Sequence, residues 1–532
     1  MNVMPLPTRA KIVATIGPGS DSPDMVRKLI EAGVSVFRFN FSHGVFDAHK
    51  KRLLVVRAVA KELDRPVAVM GDLCGPKIRV GSVPRSFAPK VASNQGGGAI
   101  ELVAGQDVLL RRDLAEACIE RESGAHDAMT PVLPVTYQAM IDEVEPGQRV
   151  LINDGAIRML AVERSADGRQ LRCRVTVGGP VSSGKGINLP DSKIGAPAIT
   201  EVDWTCVAWA VENNLDFLAL SFVRRADEVQ ELRRRLKDMC PAGRPDALNY
   251  GPQDGSTIPI ISKIEKPQAV ADLDAIIEAS DAIMVARGDL GVEMDIAQVP
   301  IVQKDILAKC QHWGRPCIVA TQMLESMITS AMPTRAEASD VANAIFDGAD
   351  AVMLSGETAV GKHPSLVVET MRRIVAAAEA KIAESPFTDS PPAKFIESRY
   401  ATAALAHGAW HVAKDIGAKL VVCWSQAGGT ARYLSQNDFR VPIVAYSSSA
   451  LATRRMALLR GVTPLRADPP PSGLLRDFTD MVERDMLARG WVKHGDPIVL
   501  LAGKPLGEVK ATNSIATLFV GDPNGGYRSH RS

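Results

Sequence analysis

A chain of 532 residues is too long for one hydrophobic core, which sets an expectation of roughly two to four domains. Its 62 Lys+Arg against 61 Asp+Glu leave a formal charge of +1, which argues against a dedicated nucleic-acid binder. No run reaches the ~18 apolar residues of a membrane helix, so no membrane partner is expected.

The eight cysteines show no CxxC pair and no zinc-like spacing. Several, such as Cys206, Cys317 and Cys423, sit in apolar runs and read as reduced and buried, which predicts a cytoplasmic protein. The first apolar stretch breaks at Gly17 and is too short for a signal peptide.

In chain order, eight short apolar runs end in small polar groups: KIVATIG, VSVFRFNFS, PVAVMGDL, LDFLALSFV, IPIISKIE, DAIMVARGDL, PCIVATQML and ADAVMLSGET. Their near-continuous apolar character suits parallel strands covered on both faces. Helical patterns fall between most of them, among them DMVRKLIEAG, DEVQELRRRLKDM, AVADLDAIIEAS, VQKDILAKCQHWG and TRAEASDVANAIFDGA. Eight such alternations predict an α/β protein built on a (β/α)8 TIM barrel. The C-terminal strand ends build the active site of that architecture. Here they carry Arg38, Asn40, Asp72, Ser221, Lys263, Glu265, Asp289, Thr321, Ser355 and Glu357.

About 140 residues separate the third run from the fourth, far more than a βα connection needs. The gap holds β-like runs, VLPVTY, QRVLINDG, IRMLAVER and LRCRVTV. A small inserted β domain over 74–188 is therefore expected between barrel segments 1–73 and 189–385. The stretch VPRSFAPKVASNQGGGA reads as a long loop within it. SPFTDSPPAK reads as a linker, after which αβ alternation predicts a separate α/β domain at 395–525.

Each motif has two readings. GETAVGKH nearly matches a P-loop but ends in His363 where a hydroxyl is needed, and it follows a barrel strand. Glu265 and Asp289, closing the fifth and sixth runs, suit magnesium, which takes few protein ligands and keeps several waters; either alone is as well explained by capping a helix start. Lys263, on the same strand face as Glu265, favours the metal-site reading. Arg38, Asn40 and Ser42 share a face by period two, a functional set or merely solvated tips. Thr321 ends the seventh run, where a lone Thr is usually structural. His407 and His411 are a possible metal pair at i, i+4, but with no complementing acid or Cys they read as helix surface. In GDLCGPKIRVG, Lys77 and Arg79 at period two are surface charge or part of an anion site.

Taken together, KIVATIGP, FRFNFSHG, GPKIR, KGINLP, ALSFVR, SKIE, ARGDLG, ATQMLESM and FDGADAVMLSGETA closely resemble the pyruvate kinase family over nearly the whole chain. The resemblance implies a TIM barrel, a β-barrel lid inserted after strand three, a C-terminal regulatory domain and usually a homotetramer. The implied reaction moves the phosphoryl group of phosphoenolpyruvate to ADP, giving pyruvate and ATP. Glu265 and Asp289 would hold Mg²⁺ (or Mn²⁺), and Lys263 would neutralise the phosphoryl group in flight. Arg38 and Arg79 would clamp phosphates, and the N–H groups of Gly288 and Asp289 would receive the substrate carboxylate. Thr321 would serve the proton relay to carbon, and His43, Lys185, Arg79 and Asn40 would face the nucleotide.

One departure stands out. Many pyruvate kinases need K⁺ and carry Asp-Thr-Lys-Gly-Pro-Glu where this chain reads Asp72-Leu73-Cys74-Gly75-Pro76-Lys77. Asn40, Ser42 and Asp72 still match the family's monovalent-cation site. The Lys77 ammonium is expected to supply the charge that K⁺ supplies elsewhere, as in the K⁺-independent branch, so K⁺ is not expected to be required; the alternative is a surface charge at the lid hinge. Two cations ~4 Å apart repel by roughly 4 kcal/mol at intermediate dielectric, so one site does not hold both.

The loop WSQAGGTARYLS resembles the family's effector loop, with Ser425, Gly428, Gly429 and Thr430 offered to a sugar phosphate or nucleotide monophosphate; the plainer reading is a capped strand-to-helix turn. Two competing readings of the whole are an Mg²⁺-dependent 2-oxo acid aldolase or lyase, and a catalytically silent metabolite-binding protein.

Overall fold

In the computed structural model, which describes residues 7–87, 98–121, 129–239, 257–384, 392–437, 440–503, 506–508 and 512–522, eight parallel strands close into a barrel. They are β1 (Lys11–Thr15), β2 (Val34–Asn40), β3 (Ala68–Asp72), β4 (Phe217–Leu220), β5 (Ile260–Ile264), β6 (Ala282–Ala286), β7 (Cys317–Ala320) and β8 (Ala351–Leu354). Each comes from one of the eight apolar runs, and β8 closes on β1 with Lys11 opposite Ala351.

The runs are continuous because both faces are buried. Val13, Val36, Met70, Phe217, Ile261, Met284 and Met353 fill the barrel. Alternate residues, such as Ile12, Phe37, Val69, Leu218, Ile283 and Val352, pack under the helical layer. The pattern AVADLDAIIEAS forms two short helices, Pro267–Ala271 and Leu273–Ala279, because Asp272 turns its carboxylate to the Ala226 N–H at 3.0 Å.

Three aspartates latch the base of the barrel. Asp216, Asp281 and Asp350 each immediately precede an even-numbered strand. Each accepts a backbone N–H from the strand before: Val69 at 2.8 Å, Ile260 at 2.8 Å and Cys317 at 2.8 Å. Asp216 also pairs with Arg57 at 2.7 Å and with Arg454 of the C-terminal region at 2.8 Å. Breaking such a buried network costs about 3–5 kcal/mol. Asp216→Ala is therefore expected to lower the urea midpoint of unfolding strongly, and a midpoint equal to wild type would contradict this role.

Between β3 and β4 the inserted strands form a seven-stranded sheet and a separate two-stranded ladder, Ala99–Leu102 with Gly179–Ser182, around one shared core. The two chain crossings between insert and barrel run side by side. Val80 N–H bonds Lys185 O at 2.8 Å, and Ile187 N–H bonds Ile78 O at 2.8 Å. Of the expected long loop, residues 88–97 lie outside the described residues, as do 385–391 of the expected linker.

The C-terminal sheet has the order β11-β10-β9-β12-β13, from β9 (Leu420–Trp424), β10 (Ile443–Ser447), β11 (Val462–Arg466), β12 (Pro497–Gly503) and β13 (Thr512–Phe519). Only β13 is antiparallel. β11 carries Pro464, which has no N–H to donate, and it lies at the sheet edge, where a proline is tolerated.

A cavity of about 560 Å³ lies between the barrel base and this sheet, and Lys11 lines it. Its Nζ donates to Val462 O at 2.7 Å. Burial pushes the Lys11 ammonium down to about 8, against the opposing pull of Glu379. A lysine whose folded pKa lies below its unfolded value of 10.5 binds fewer protons folded than unfolded between those two values. Stability then rises with pH across that window, by up to about 3 kcal/mol. Urea titrations at about pH 7.5 and about pH 9.5 should show wild type gaining on Lys11→Met as pH rises, and a constant difference would contradict this.

Candidate active site

The strand ends do converge. Asp72 closes β3 and is 1% exposed. It takes Arg38 Nε at 2.6 Å and lies 3.3 Å from Lys263 Nζ. Lys263 also reaches Glu265 Oε1 at 2.8 Å and donates to Ser221 Oγ at 2.9 Å. Arg38 donates a further bond to Thr15 Oγ1 at 3.0 Å. Burial alone would lower the Lys263 pKa, but Asp72 and Glu265 hold it above the usual lysine value. Burial likewise opposes ionisation of Asp72, and Lys263 and Arg38 outweigh it, leaving the carboxyl below its usual range. Lys263 is thus a fixed, fully charged ammonium at the barrel mouth.

Glu265 is fully buried. Its Oε2 accepts the Phe222 N–H at 2.6 Å, which Phe222 presents from a left-handed backbone at φ +54°. Its Oε1 has only the Lys263 ion pair and no aligned hydrogen bond. Burial raises the Glu265 pKa, Lys263 opposes this, and the Asp289 carboxylate raises it further. A buried carboxylate oxygen without a hydrogen bond, repelled by a second carboxylate, fits a small hard cation. Among the described residues no cluster of three or more His, Cys, Asp and Glu stands ready for a metal. Two carboxylates with open positions suit Mg²⁺ rather than Zn²⁺.

At the end of β7, Thr321 and Gln322 both have positive φ, +66° and +57°. Such strain persists where surroundings fix it. Here Gly288 N–H donates to Thr321 Oγ1 at 2.8 Å, and Arg287 Nη2 donates to Thr321 O at 2.9 Å. Arg287 is itself held by Asp340 at 2.7 Å. The Gly288 N–H expected to receive a carboxylate is therefore bonded to the Thr321 hydroxyl.

The GPKIR element differs from its expected form. Residues 73–79 are not a regular strand: Gly75 sits at φ +66° and Lys77 N–H folds back to Gly75 O at 2.8 Å. Arg79 makes a single bridge to Gly186, and its Nη1 donates to Gly184 O at 2.8 Å, which sets it beside Lys185. Lys77 is exposed and makes no hydrogen bond or ion pair with Asn40, Ser42 or Asp72, the residues with which the resemblance groups it. It lines a cleft with Asp289, Asn188 and Lys266. Ser42 also lies past the end of β2, where Asn40 Oδ1 accepts its N–H at 3.1 Å. His43 feels this basic arm: burial lowers its pKa first, then the charges of Lys77, Arg79 and Arg38.

Comparison with known proteins agrees with this geometry. Residues 7–368 match the model of the pyruvate kinase barrel domain, and residues 403–517 that of the pyruvate kinase alpha/beta domain. The chain is 37% identical over 518 residues to the pyruvate kinases of Staphylococcus aureus strains MRSA252 and USA300, spanning 97% of this chain and 81% of each relative. The chain belongs to the pyruvate kinase family. It is a phosphotransferase of that family, whose members generally use Mg²⁺ and act on phosphoenolpyruvate and ADP. No described helix is long and apolar enough to cross a membrane.

Two of the remaining candidates lie in the C-terminal region, and the third follows β8, where Thr358 Oγ1 donates to Thr15 O at 2.9 Å. Ser425 Oγ accepts Ala431 N–H at 3.1 Å, Gly428 takes φ +79°, and Thr430 Oγ1, in the first turn of helix Gly429–Ser435, bonds Thr512 Oγ1 at 2.7 Å, so both hydroxyls are engaged. His407 and His411 sit on helix Ala401–Asp415 with their Nε2 atoms 3.2 Å apart. The P-loop-like segment is a short helix, Gly356–Ala359, whose Glu357 bonds Ser355 N–H at 2.7 Å. Asp203, Phe222 and Arg287 also position the site; Phe222 and Arg287 lie within the ALSFVR and ARGDLG segments but are not among the candidate residues, and Asp203 lies outside every such segment.

Proposed function

We propose that the β2–β6 mouth carries out phosphoryl transfer from phosphoenolpyruvate to ADP with the roles that follow. The observation that carries this is Lys263, held charged between Asp72 and Glu265, whose buried Oε1 has no hydrogen bond. Glu265 and Asp289 hold Mg²⁺, which supplies charge neutralisation at the substrate oxygens. Lys263 and Arg38 stabilise the charge on the transferring phosphoryl group. The first-turn N–H groups of Gly288 and Asp289 take the substrate carboxylate, for which Gly288 exchanges its bond to Thr321. The freed Thr321 hydroxyl then serves proton delivery to carbon. Arg79, Lys185 and His43, with Asn40, face the nucleotide, and the inserted sheet acts as a lid that excludes water on closing.

Lys77 replaces K⁺ on this reading. Supporting it, the Lys77 charge acts on His43, the residue next to Ser42. Lys77→Glu should acquire a K⁺ requirement that wild type lacks. Equal rates for that variant in K⁺ and in tetramethylammonium would remove the role.

A homotetramer, a cytoplasmic location and a phosphorylated effector at Ser425, Gly428, Gly429 and Thr430 belong to the same proposal; the seven cysteines among the described residues are all free, which suits a reducing compartment. Failure to form ATP from phosphoenolpyruvate and ADP would favour the lyase or silent-protein reading.

A further inference from the structure

Helix Glu201–Glu212 lies against the exit of β3. Its Asp203 carboxylate accepts the Cys74 N–H at 2.7 Å and the Gly75 N–H at 3.2 Å. Cys206, three residues further on and so on the same face of that helix as Asp203, is 2% exposed and packs in the core that Cys74 also packs against. Cys74 itself is half-buried. A second cysteine pair, Cys310 and Cys317, is fully buried, where solvent does not reach. The Cys74–Cys206 pair differs in having one partner open to a small oxidant, and no role proposed above uses either sulfur.

We propose that Cys74 and Cys206 are a site of reversible two-electron oxidation by a peroxide. The disulfide ties the β3 exit to helix Glu201–Glu212 and slows turnover. Cys74 sulfur attacks hydrogen peroxide; an S–O bond forms, the O–O bond breaks, and the thiol proton leaves with the departing hydroxide as water. Cys206 sulfur then attacks the sulfenic acid; the S–S bond forms, the S–O bond breaks, and the second proton leaves in a second water. Two thiols and one peroxide become one disulfide and two waters.

The location gives the bond its effect. Cys74 begins the turn that leads through Gly75 and Pro76 to Lys77 and Arg79. Gly75 is held at φ +66° so close to Phe222 that a Cβ there would lie 2.7 Å from its ring. A tether at Cys74 fixes the root of the arm. Formation of the cross-link is independent of the residue roles proposed above; its effect on turnover rests on them.

The test treats the purified full-length enzyme with hydrogen peroxide and maps disulfides by non-reducing digestion and mass spectrometry. ATP formation is measured before treatment, after it, and after dithiothreitol, for wild type, Cys74→Ser and Cys206→Ser. The expected result is a cross-linked peptide pair containing Cys74 and Cys206, with a rate loss of up to about 10²-fold that the reductant reverses. Neither serine variant should show the reversible loss. Absence of that peptide pair in wild type, a cross-link with unchanged rate, or the same reversible loss in Cys206→Ser each overturns the proposal. Peptide mapping of wild type stands even where a variant fails to fold, and the untreated rate separates this outcome from failure of the kinase reading itself.

Discussion

Lys263→Met is expected to reduce ATP formation from phosphoenolpyruvate and ADP by about 10³-fold or more. Removing one well-placed donor from a developing charge typically costs 10²–10³ in rate, and here a full ammonium is lost from a buried mouth. Methionine keeps the length of the side chain but leaves Glu265 Oε1 with no cation and Asp72 with only Arg38. Stranding buried carboxylates is itself destabilising, by about 3–5 kcal/mol. The rate must therefore be read well below the variant's own unfolding temperature, with circular dichroism confirming the fold. Added Mg²⁺ should recover part of the stability, because it neutralises the same carboxylates, without recovering the rate. A folded Lys263→Met enzyme within about tenfold of wild type would show that the ammonium serves the fold and not the transfer.

Glu265→Gln and Asp289→Asn carry the second large effect. Each removes one of the two negative charges proposed to hold Mg²⁺, while keeping the side-chain shape. Metal-ion charge stabilisation is worth several kcal/mol at a phosphoryl centre, so kcat should fall by roughly 10²–10³-fold, with a higher Mg²⁺ requirement. Mn²⁺ binding followed by electron paramagnetic resonance gives a readout apart from turnover, and both variants should bind more weakly. Wild-type Mn²⁺ affinity in both would place the metal elsewhere. Glu265 is the more exposed to side effects, since its Oε2 fixes Phe222 N–H and its Oε1 pairs Lys263. Asp289, half-buried and without those bonds, is the cleaner probe.

How legible the molecule is from its sequence depends on the range of the interaction. The eight strands are legible because burial on both faces leaves an unbroken apolar run with polar groups only at one end. Lys263 and Glu265 are placed together by a two-residue period at the end of β5, where Glu265 directly follows the last strand residue. Lys77 and Arg79 have the same spacing, but the period applies only to a strand. Gly75 at φ +66° and the fold-back of Lys77 N–H to Gly75 O break the strand there, so no shared strand face of Lys77 and Arg79 forms, and Lys77 lines the cleft. β11 is hidden by Pro464, which is tolerated only because the strand is at an edge. Asp203, Phe222 and Arg287 act through partners 34 to 129 positions away; ALSFVR and ARGDLG contain the last two, but no local pattern reveals those partners. The packing of Cys74 against the core that holds Cys206 is of the same long-range kind.

The most direct measurement is the initial rate of pyruvate and ATP formation by the wild-type enzyme from phosphoenolpyruvate, ADP and Mg²⁺, first with K⁺ and then with K⁺ rigorously replaced by tetramethylammonium. The account predicts substantial rates that are equal in the two buffers. Activity with K⁺ alone would contradict the role of Lys77, and activity in neither would contradict phosphoryl transfer at the Lys263 mouth.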